Sequence, residues 1–184
     1  QAGVRRVHLL DRRRVGGLPL ELFSGEGVGS LLTADIYEGL RPAAIDDVAG
    51  LVELIQPLEE DGALVRRSRE RLEMEIDRFC VLERDGAIIG CAALYPFAEE
   101  RLGELACVAV HPDYRNSGRA EMLLRRIERQ ARAQGLSRLF VLTTRAAHWF
   151  RERGFEPAEV ADLPVQKQQL YNWRRRSKVF IKTL

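Results

Sequence analysis

Apolar residues recur at two different spacings along most of the chain, and each spacing predicts one kind of element. Between Arg41 and Phe79 they lie three or four residues apart, as in amphipathic helices. We expect a first helix between Pro42 and Pro57, because proline favours the first turn and interrupts a helix interior. Its buried positions would be Ile45, Val48, Leu51, Val52 and Ile55. Ser68 is placed to cap a second helix, with apolar positions at Leu72, Ile76 and Phe79.

The next segments have the pattern of strands. FCVLERDGAIIGCAALYP consists of two β-rich runs around Asp85-Gly86, which predicts a hairpin with a two-residue turn. GELACVAV is apolar on both faces after Glu104, which is typical of a strand in the middle of a sheet.

The last third alternates helix and strand. A helix after Gly118 would bury Leu123, Leu124, Ile127 and Ala131 and end at Gly135. LSRLFVLTT predicts a strand, AAHWFRERGF a short helix that ends at Gly154, and KVFIKTL the final strand. The predicted order ααββ-β-α-β-α-β indicates an α/β (α+β) fold with mixed strand pairing.

The first forty residues follow neither spacing. RRVHLLDRRRVGGLPLELFSGEGVGS reads as a strand, a turn, a second strand and a glycine-rich loop. Two or three strands cannot bury a core alone. We therefore interpret this segment as the edge of another domain rather than as padding of the main one.

The length, composition and net charge of the chain indicate which general class of protein it belongs to. With 184 residues, 46% apolar and 30% charged, the chain is a globular protein of one domain, alone or with a short appendage. A net charge of +2 does not by itself indicate nucleic acid or a membrane as partner. No apolar run reaches about 18 residues, and the first residues lack the apolar region of a signal peptide. We expect a cytoplasmic protein.

The three cysteines, Cys80, Cys91 and Cys107, lie inside apolar runs at spacings unlike a C-x-x-C motif. We interpret them as reduced core residues. We see no cluster of metal ligands and expect no metal.

The stretch HPDYRNSGRA, His111 to Ala120, links the central strand to the long helix. Backbone N–H groups at a helix N-terminus bind phosphate, and Gly118 and Ala120 let a ligand approach closely. Arg115 and Arg119 would supply charged donors to a second phosphate. The turn is neither a Walker A loop nor a dinucleotide fingerprint. A solvated loop remains the alternative, and a pyrophosphate is the ligand that the residues fit best.

Arg115, Gly118 and Ala120 also match the R-x-x-G-x-A form of a signature, and the chain here resembles the GCN5-related N-acetyltransferases (GNAT family) over about residues 40–184. The resemblance implies a mixed, mostly antiparallel central sheet flanked by helices, and acetyl-CoA as cosubstrate. It implies these acetyl-CoA contacts: Cys107, Val108, Val110, Arg115, Asn116, Ser117, Gly118, Arg119 and Ala120.

Several blocks, among them LEEDGALVRRSRE, GELACVAVHPDYR and LYNWRRRSKV, are more closely similar to the acetyltransferase domain of the bacterial N-acetylglutamate synthase family. Residues 1–36 resemble the end of the amino-acid-kinase-like domain that precedes it, so residues 37–184 would form the acetyltransferase domain. The implied activity is acetyl transfer from acetyl-CoA to the α-amine of L-glutamate, the first step of arginine biosynthesis. The resemblance leaves a homo-oligomer open, with assembly depending on the missing domain.

In arginine-sensitive members of that family a His, a Glu and a Gly contribute to an arginine site, and they match His8, Glu21 and Gly27. Without most of that domain we expect no effective arginine pocket, and we interpret His8 and Glu21 as ordinary polar residues at strand ends.

The resemblance also implies catalytic roles. Glu104 matches the general base, with an ion pair to Arg101 or a solvent-exposed position as the alternative. Backbone N–H groups near Cys107 and Val108 would polarise the thioester oxygen, which favours direct transfer over an acetylated Cys107. Many relatives have a tyrosine as general acid where this chain has Phe150, so Thr143 or a water would take that role.

Glutamate has two carboxylates, so its pocket needs fixed cations. Arg67, Lys167 and Arg176 are the candidates, with Cys107 beside them. Two alternatives remain open. One is an acetyltransferase for another amine, such as a peptide or protein amine. The other is a non-catalytic module that binds CoA, or nucleic acid through RRRSK at residues 174–178.

Overall fold

The computed structural model describes residues 6–23, 28–33 and 38–184. The chain divides into two compact units, Gln1–Gly39 and Leu40–Leu184.

The described residues of the smaller unit form a two-stranded antiparallel sheet and one helix. Strand β1 (Arg6–Leu9) pairs with β2 (Ser30–Thr33), and helix α1 (Gly17–Phe23) lies between them in sequence. The strand predicted for LPLELF is therefore wrong. A short apolar run does not distinguish a strand from a helix, and Pro19 stands in the first helical turn, where its missing N–H costs no hydrogen bond. The core of the predicted glycine-rich loop, residues 24–27, lies outside the described residues.

The larger unit is built on one seven-stranded sheet of order β3-β4-β5-β6-β7-β9-β8. Its strands are β3 (Glu38–Pro42), β4 (Phe79–Arg84), β5 (Ala87–Phe97), β6 (Leu102–Val110), β7 (Arg138–Thr143), β8 (Glu156–Ala158) and β9 (Lys178–Thr183). The β4–β5, β5–β6, β7–β9 and β8–β9 pairs are antiparallel, and β6–β7 is parallel. The predicted mixed sheet, with β6 at its centre, is confirmed.

The predicted hairpin is also confirmed. Asp85 and Gly86 both have positive φ, 52° and 84°, between β4 and β5. Two successive residues of this kind form the turn that matches the twist of an antiparallel pair.

The helices of this unit are α2 (Val48–Glu60), α3 (Arg69–Met74), α4 (Arg119–Ala133), α5 (Ala147–Arg151) and α6 (Val165–Gln169). Two predicted bounds are wrong. Ile45 lies in a separate 3₁₀ turn and is exposed. Helix α2 continues through Pro57 to Glu60, and the amide of Asp61 closes its last turn by donating to the Pro57 carbonyl at 3.1 Å. The Ser68 cap is confirmed: its side chain accepts a hydrogen bond from the Arg71 amide. Helix α3 is nevertheless shorter than predicted, since Phe79 already begins β4.

The sheet separates two apolar layers. Alternate residues of β4 and β5 face opposite sides, so Leu82 and Leu94 pack with α4, whereas Val81 and Ala93 pack with α2 and α3. Cys80, Cys91 and Cys107 are buried and free, as predicted. Within the described ranges, no helix is both long enough and apolar enough to cross a membrane.

Candidate functional site

A cleft opens in the sheet where two neighbouring strands stop pairing. The parallel ladder between β6 and β7 ends at the pair Glu104↔Phe140, although β6 continues to Val110 and β7 to Thr143. A cavity of about 1450 Å³ lies along these unpaired ends. The backbone groups of β6 that face away from β5 are thus available to a ligand.

A bulge interrupts β6 inside this cleft. The β5–β6 register shifts between Cys91↔Ala109 and Ala93↔Ala106, so Cys107 and Val108 together oppose one residue of β5. Cys107 has φ of 52°, which is unusual for a residue with a side chain. A bulge leaves its extra residue outside the ladder, and Cys107 and Val108 line the cavity. This is the place where the family resemblance implies donors to a thioester oxygen.

The thiol of Cys107 is buried beside two groups that favour its ionised form. Cys91 donates its S–H to the Cys107 carbonyl oxygen at 3.3 Å. The Cys91 thiol and the Arg67 guanidinium together hold the pKa of Cys107 below its usual value, against the opposing effect of burial. The family resemblance implies that both residues belong to the acceptor site, whereas no local pattern connects them, because they are forty positions apart in sequence.

The predicted phosphate turn closes one end of the cleft. Gly118 has φ of 79° and caps α4, and its carbonyl accepts the first helical hydrogen bond, from Met122 at 3.0 Å. Amides of the first helical turn have no carbonyl partner within the helix and are directed at the helix end. Members of this turn that line the cavity are Arg115, Asn116, Gly118, Arg119 and Ala120. Ser117 does not line it: the Ser117 hydroxyl donates to the Tyr114 carbonyl at 2.7 Å.

Glu104 forms an ion pair in the cleft. Its Oε2 lies 2.6 Å from Nζ of Lys167, and the residue is 8% exposed. The alternative partner, Arg101, instead donates to the Gly135 carbonyl. Lys167 belongs to the short helix α6, which Gln168 anchors by donating to the carbonyls of Ala161 and Leu163. The structure thus brings together two of the predicted site residues.

Two guanidinium groups reach the same cleft. Arg67 lies between α2 and α3, and its guanidinium donates to the Val65 carbonyl at 3.0 Å. Arg175 donates to the carbonyls of Ala63 at 2.5 Å and Gly62 at 3.3 Å. Burial and then the charge of Arg67 lower the pKa of Arg175, as expected for cations that converge on one space.

Arg176, the predicted candidate, is exposed and does not line the cavity, whereas Arg175 does. In a run of three arginines the sequence does not indicate which one faces inward, since that depends on the backbone path. Here Arg176 adopts a positive φ of 50°, which turns the chain just before β9.

The sequence analysis missed Tyr95. This residue pairs with Glu104 across the β5–β6 ladder and lines the cavity. Its hydroxyl donates to Oε2 of Glu75 at 2.6 Å, and burial together with this carboxylate raises the pKa of Tyr95 to about 12. Tyr95 also interacts with the guanidinium of Arg67. The signal was the register of the β5–β6 pair, which places Tyr95 opposite Glu104 when counted from the turn between these strands.

Thr143 lies at the end of β7 and is buried at the cavity wall. Its Oγ1 accepts hydrogen bonds from the amides of Ala146 at 3.0 Å and Arg145 at 3.3 Å. Phe150 packs edge-on against Phe155 and offers no proton. Tyr171 is a further phenol that lines the cavity, and it donates to the Ser177 carbonyl.

In the smaller unit, His8 and Glu21 contact each other. Nδ1 of His8 lies 2.6 Å from Oε1 of Glu21, whose Oε2 accepts from the amides of Val28 and Gly29 at 2.7 and 3.0 Å. The His8 and Val28 hydrogen bonds hold the pKa of Glu21 below its usual value. Glu21 lies in α1, so its interpretation as a strand-end residue is wrong. Gly27 lies outside the described residues.

Across the described residues, no group of three or more His, Cys, Asp and Glu side chains could hold a metal ion.

Residues 48–155 match the family model "Acetyltransferase (GNAT) family". The chain is 60% identical over all of its 184 residues to an "Amino-acid acetyltransferase" of Yersinia enterocolitica and to one of Serratia proteamaculans. It spans 42% of the length of each.

Two solved structures of N-acetylglutamate synthase from Neisseria gonorrhoeae are also similar. The complex with coenzyme A and N-acetyl-glutamate has 42% identity and a TM-score of 0.78, covering 99% of this chain and 43% of that one. The complex with coenzyme A and L-arginine has 41% identity and a TM-score of 0.88, covering 99% and 41%. The family model covers more than half of the chain, and the chain belongs to the acetyltransferase (GNAT) family.

Proposed function

We propose that this chain carries the catalytic domain of an N-acetylglutamate synthase, and that it transfers acetyl from acetyl-CoA to the α-amine of L-glutamate. The amino-acid acetyltransferases at 60% identity and the gonococcal synthase crystallised with coenzyme A and N-acetyl-glutamate support this function. Residues 1–36 would then be the end of an amino-acid-kinase-like domain, close to the unit boundary after Gly39.

Acetyl-CoA would lie along the unpaired side of β6. The turn from Arg115 to Ala120 supplies amides at the positive end of α4, with two arginine side chains, for the pyrophosphate. The extended arm of the cofactor would hydrogen-bond to the β6 backbone, as an added strand does. The thioester would then reach the bulge at Cys107 and Val108.

The reaction needs a proton acceptor and an anion stabiliser. The α-ammonium of glutamate gives a proton to Glu104, directly or through a water, and the neutral nitrogen attacks the thioester carbon. Backbone N–H groups at the bulge stabilise the oxyanion. The thiolate of CoA leaves with the electron pair of the C–S bond, and Thr143 or a water returns a proton to it.

The acceptor's carboxylates would be bound by the two guanidinium groups. Arg67 and Arg175 line the same cleft as Glu104, whose carboxylate is already paired with Lys167. Two converging cations of this kind favour a small diacid over a peptide. This convergence beside Glu104 is the observation that carries the glutamate assignment. For binding the carboxylates of glutamate, the sequence resemblance favours Arg176, whereas the geometry of the cleft favours Arg175.

We further propose that the protein is cytoplasmic and acts without a metal. A homo-oligomer would depend on regions of the full synthase outside this chain.

Release of free thiol from acetyl-CoA tests the function. L-glutamate should drive release, whereas D-glutamate, aspartate, glutamine and lysine peptides should give at most a small fraction of that rate. If a different amine drives release, acetyl transfer stands and the glutamate assignment is wrong. If none of these acceptors drives thiol release, the proposed activity is contradicted.

A further inference from the structure

The ion pair between Lys167 and Glu104 places an amine at the proposed general base. Nζ of Lys167 is 2.6 Å from the Glu104 carboxylate, inside the cavity that the bulge also lines. In direct acetyl transfer the nitrogen that attacks must first lose a proton to the base. Lys167 is therefore held where an acceptor amine has to be.

We propose that Lys167 is a site of self-acetylation, modified by acetyl-CoA bound in the same cleft when no glutamate is present. This inference rests on the proposed function, since it uses the same cosubstrate, base and oxyanion donors. A lysine side chain is flexible and reacts as a nucleophile once its ammonium is deprotonated. Lys167 is only partly buried, with 28% of its side chain exposed, so it can rotate within the cleft.

The bond changes balance without a further reactant. The Lys167 ammonium gives one proton to Glu104, and Nζ forms a bond to the acetyl carbon. The C–S bond breaks, its electron pair leaves with sulfur, and the second nitrogen proton ends on the CoA thiol. The products are Nε-acetyl-Lys167 and free CoA, while the proton on Glu104 passes to water.

The modification would remove the cation that pairs with Glu104 and leave an amide in the acceptor space. Glutamate would protect Lys167, because its own ammonium would occupy the position beside Glu104. Self-acetylation would therefore inactivate the enzyme when glutamate is scarce.

The chain contains a matched control. It has three lysines, Lys167, Lys178 and Lys182. Lys182 also pairs with a buried carboxylate, Glu128, at 2.6 Å, with 22% of its side chain exposed. Neither Lys182 nor Glu128 lines the cleft. Lys178 is exposed, so purely chemical acetylation should modify it first.

The experiment is incubation of the protein with acetyl-CoA alone, followed by peptide mass spectrometry of all three lysines. A positioned base contributes about 10²–10⁴-fold, so we expect Lys167 to react on the order of a hundredfold faster than Lys182. The rate should saturate with acetyl-CoA and fall when L-glutamate is added. Glu104→Gln should slow it, and Lys167→Arg should abolish the thiol release seen without glutamate.

Equal rates at Lys167 and Lys182, or an unchanged rate in Glu104→Gln, would overturn the proposal. The same preparation is assayed in parallel for thiol release with L-glutamate. Activity on glutamate with an unmodified Lys167 refutes self-acetylation alone. If Lys167 becomes acetylated, and a portion never incubated with acetyl-CoA alone gives no thiol release with L-glutamate, the acceptor assignment alone is refuted; absence of both refutes both.

Discussion

Glu104 and Phe140 are the last paired residues of the parallel β6–β7 ladder, and the cleft begins directly beyond them. Phe140 is fully buried and Glu104 is 8% exposed. The ladder therefore fixes the backbone of Glu104 at the apex of the opening, while its carboxylate is directed to Lys167. A change confined to the carboxylate should alter the chemistry and leave the strand in place.

Glu104→Gln should lower kcat by about 10²–10⁴-fold, the usual contribution of a general base. Binding of acetyl-CoA should be retained, because the phosphate turn and the β6 backbone do not depend on this side chain. Steady-state kinetics and calorimetric titration with CoA measure the two effects separately.

The control is Glu128→Gln, which breaks a similar buried ion pair, to Lys182, away from the cleft. It should lower the melting temperature and keep kcat close to that of the unchanged protein. If both variants lose kcat equally, Glu104 acts through stability and is not the base.

Gly118 and Gly135 lie at opposite ends of α4 and have nearly the same backbone conformation, with φ of 79° and 75°. A Cβ at either position would meet nothing within 4 Å. Alanine at each should thus cost about 1–2 kcal/mol of stability from left-handed strain alone. Gly118→Ala should in addition raise the KM for acetyl-CoA, and Gly135→Ala should not. Equal KM values for acetyl-CoA in the two variants would show that the pyrophosphate does not bind at this turn.

Arg175→Ala should raise the glutamate KM by about tenfold or more, the worth of one hydrogen-bonded charge, with a smaller effect on acetyl-CoA. Arg175 also holds the carbonyls of Gly62 and Ala63, so a melting curve is needed beside the kinetics. Arg176→Ala, in the neighbouring exposed arginine, is the matched variant and should change the glutamate KM little. The reverse result would favour Arg176, as the sequence resemblance implies.

Local patterns were sufficient for most of the fold. The Asp85-Gly86 turn, the Ser68 cap and the apolar face of α4 each depend on residues close together in sequence, and local patterns predict all three. Failures occurred where local preference is weak. The run LPLELF is too short to show a period, and Pro57 breaks only one hydrogen bond near the end of α2.

The candidate site was predictable in part for the same reason. Glu104, Cys107 and the turn at Gly118 lie on one continuous stretch, so their order indicates their place. Contacts between distant segments had no local signal. Lys167 as the partner of Glu104 and Arg67 beside Cys107 depend on how loops cross the open end of the sheet. The choice between Arg175 and Arg176 depends on a single positive φ.

Asp47 couples the stability of the protein to acidic pH. The guanidinium of Arg41 donates to both carboxylate oxygens of Asp47, at 2.6 and 2.7 Å, and the Ala44 amide donates to Oδ2 at 2.7 Å. The Arg41 hydrogen bonds, against the effect of burial, hold the pKa of Asp47 below its ordinary value of 3.8. The native state thus binds fewer protons than the unfolded chain at this residue. The ionised Asp47 carboxylate stabilises the native state above about pH 3.8, and this contribution is lost as the pH falls through the lower native pKa.

Asp47→Asn should therefore lower the free energy of unfolding by about 1–3 kcal/mol at pH 7, and by less as the pH falls below 3.8. Urea unfolding at a series of pH values measures this convergence. The matched variant is Asp46→Asn, in the neighbouring exposed residue, which should change stability little at pH 7. The contribution of the ionised carboxylate must disappear once Asp47 is protonated in both the native and the unfolded state. If the difference in unfolding free energy between Asp47→Asn and the unchanged protein stays constant down to strong acid, the variant has lost packing and not the interaction of the ionised carboxylate.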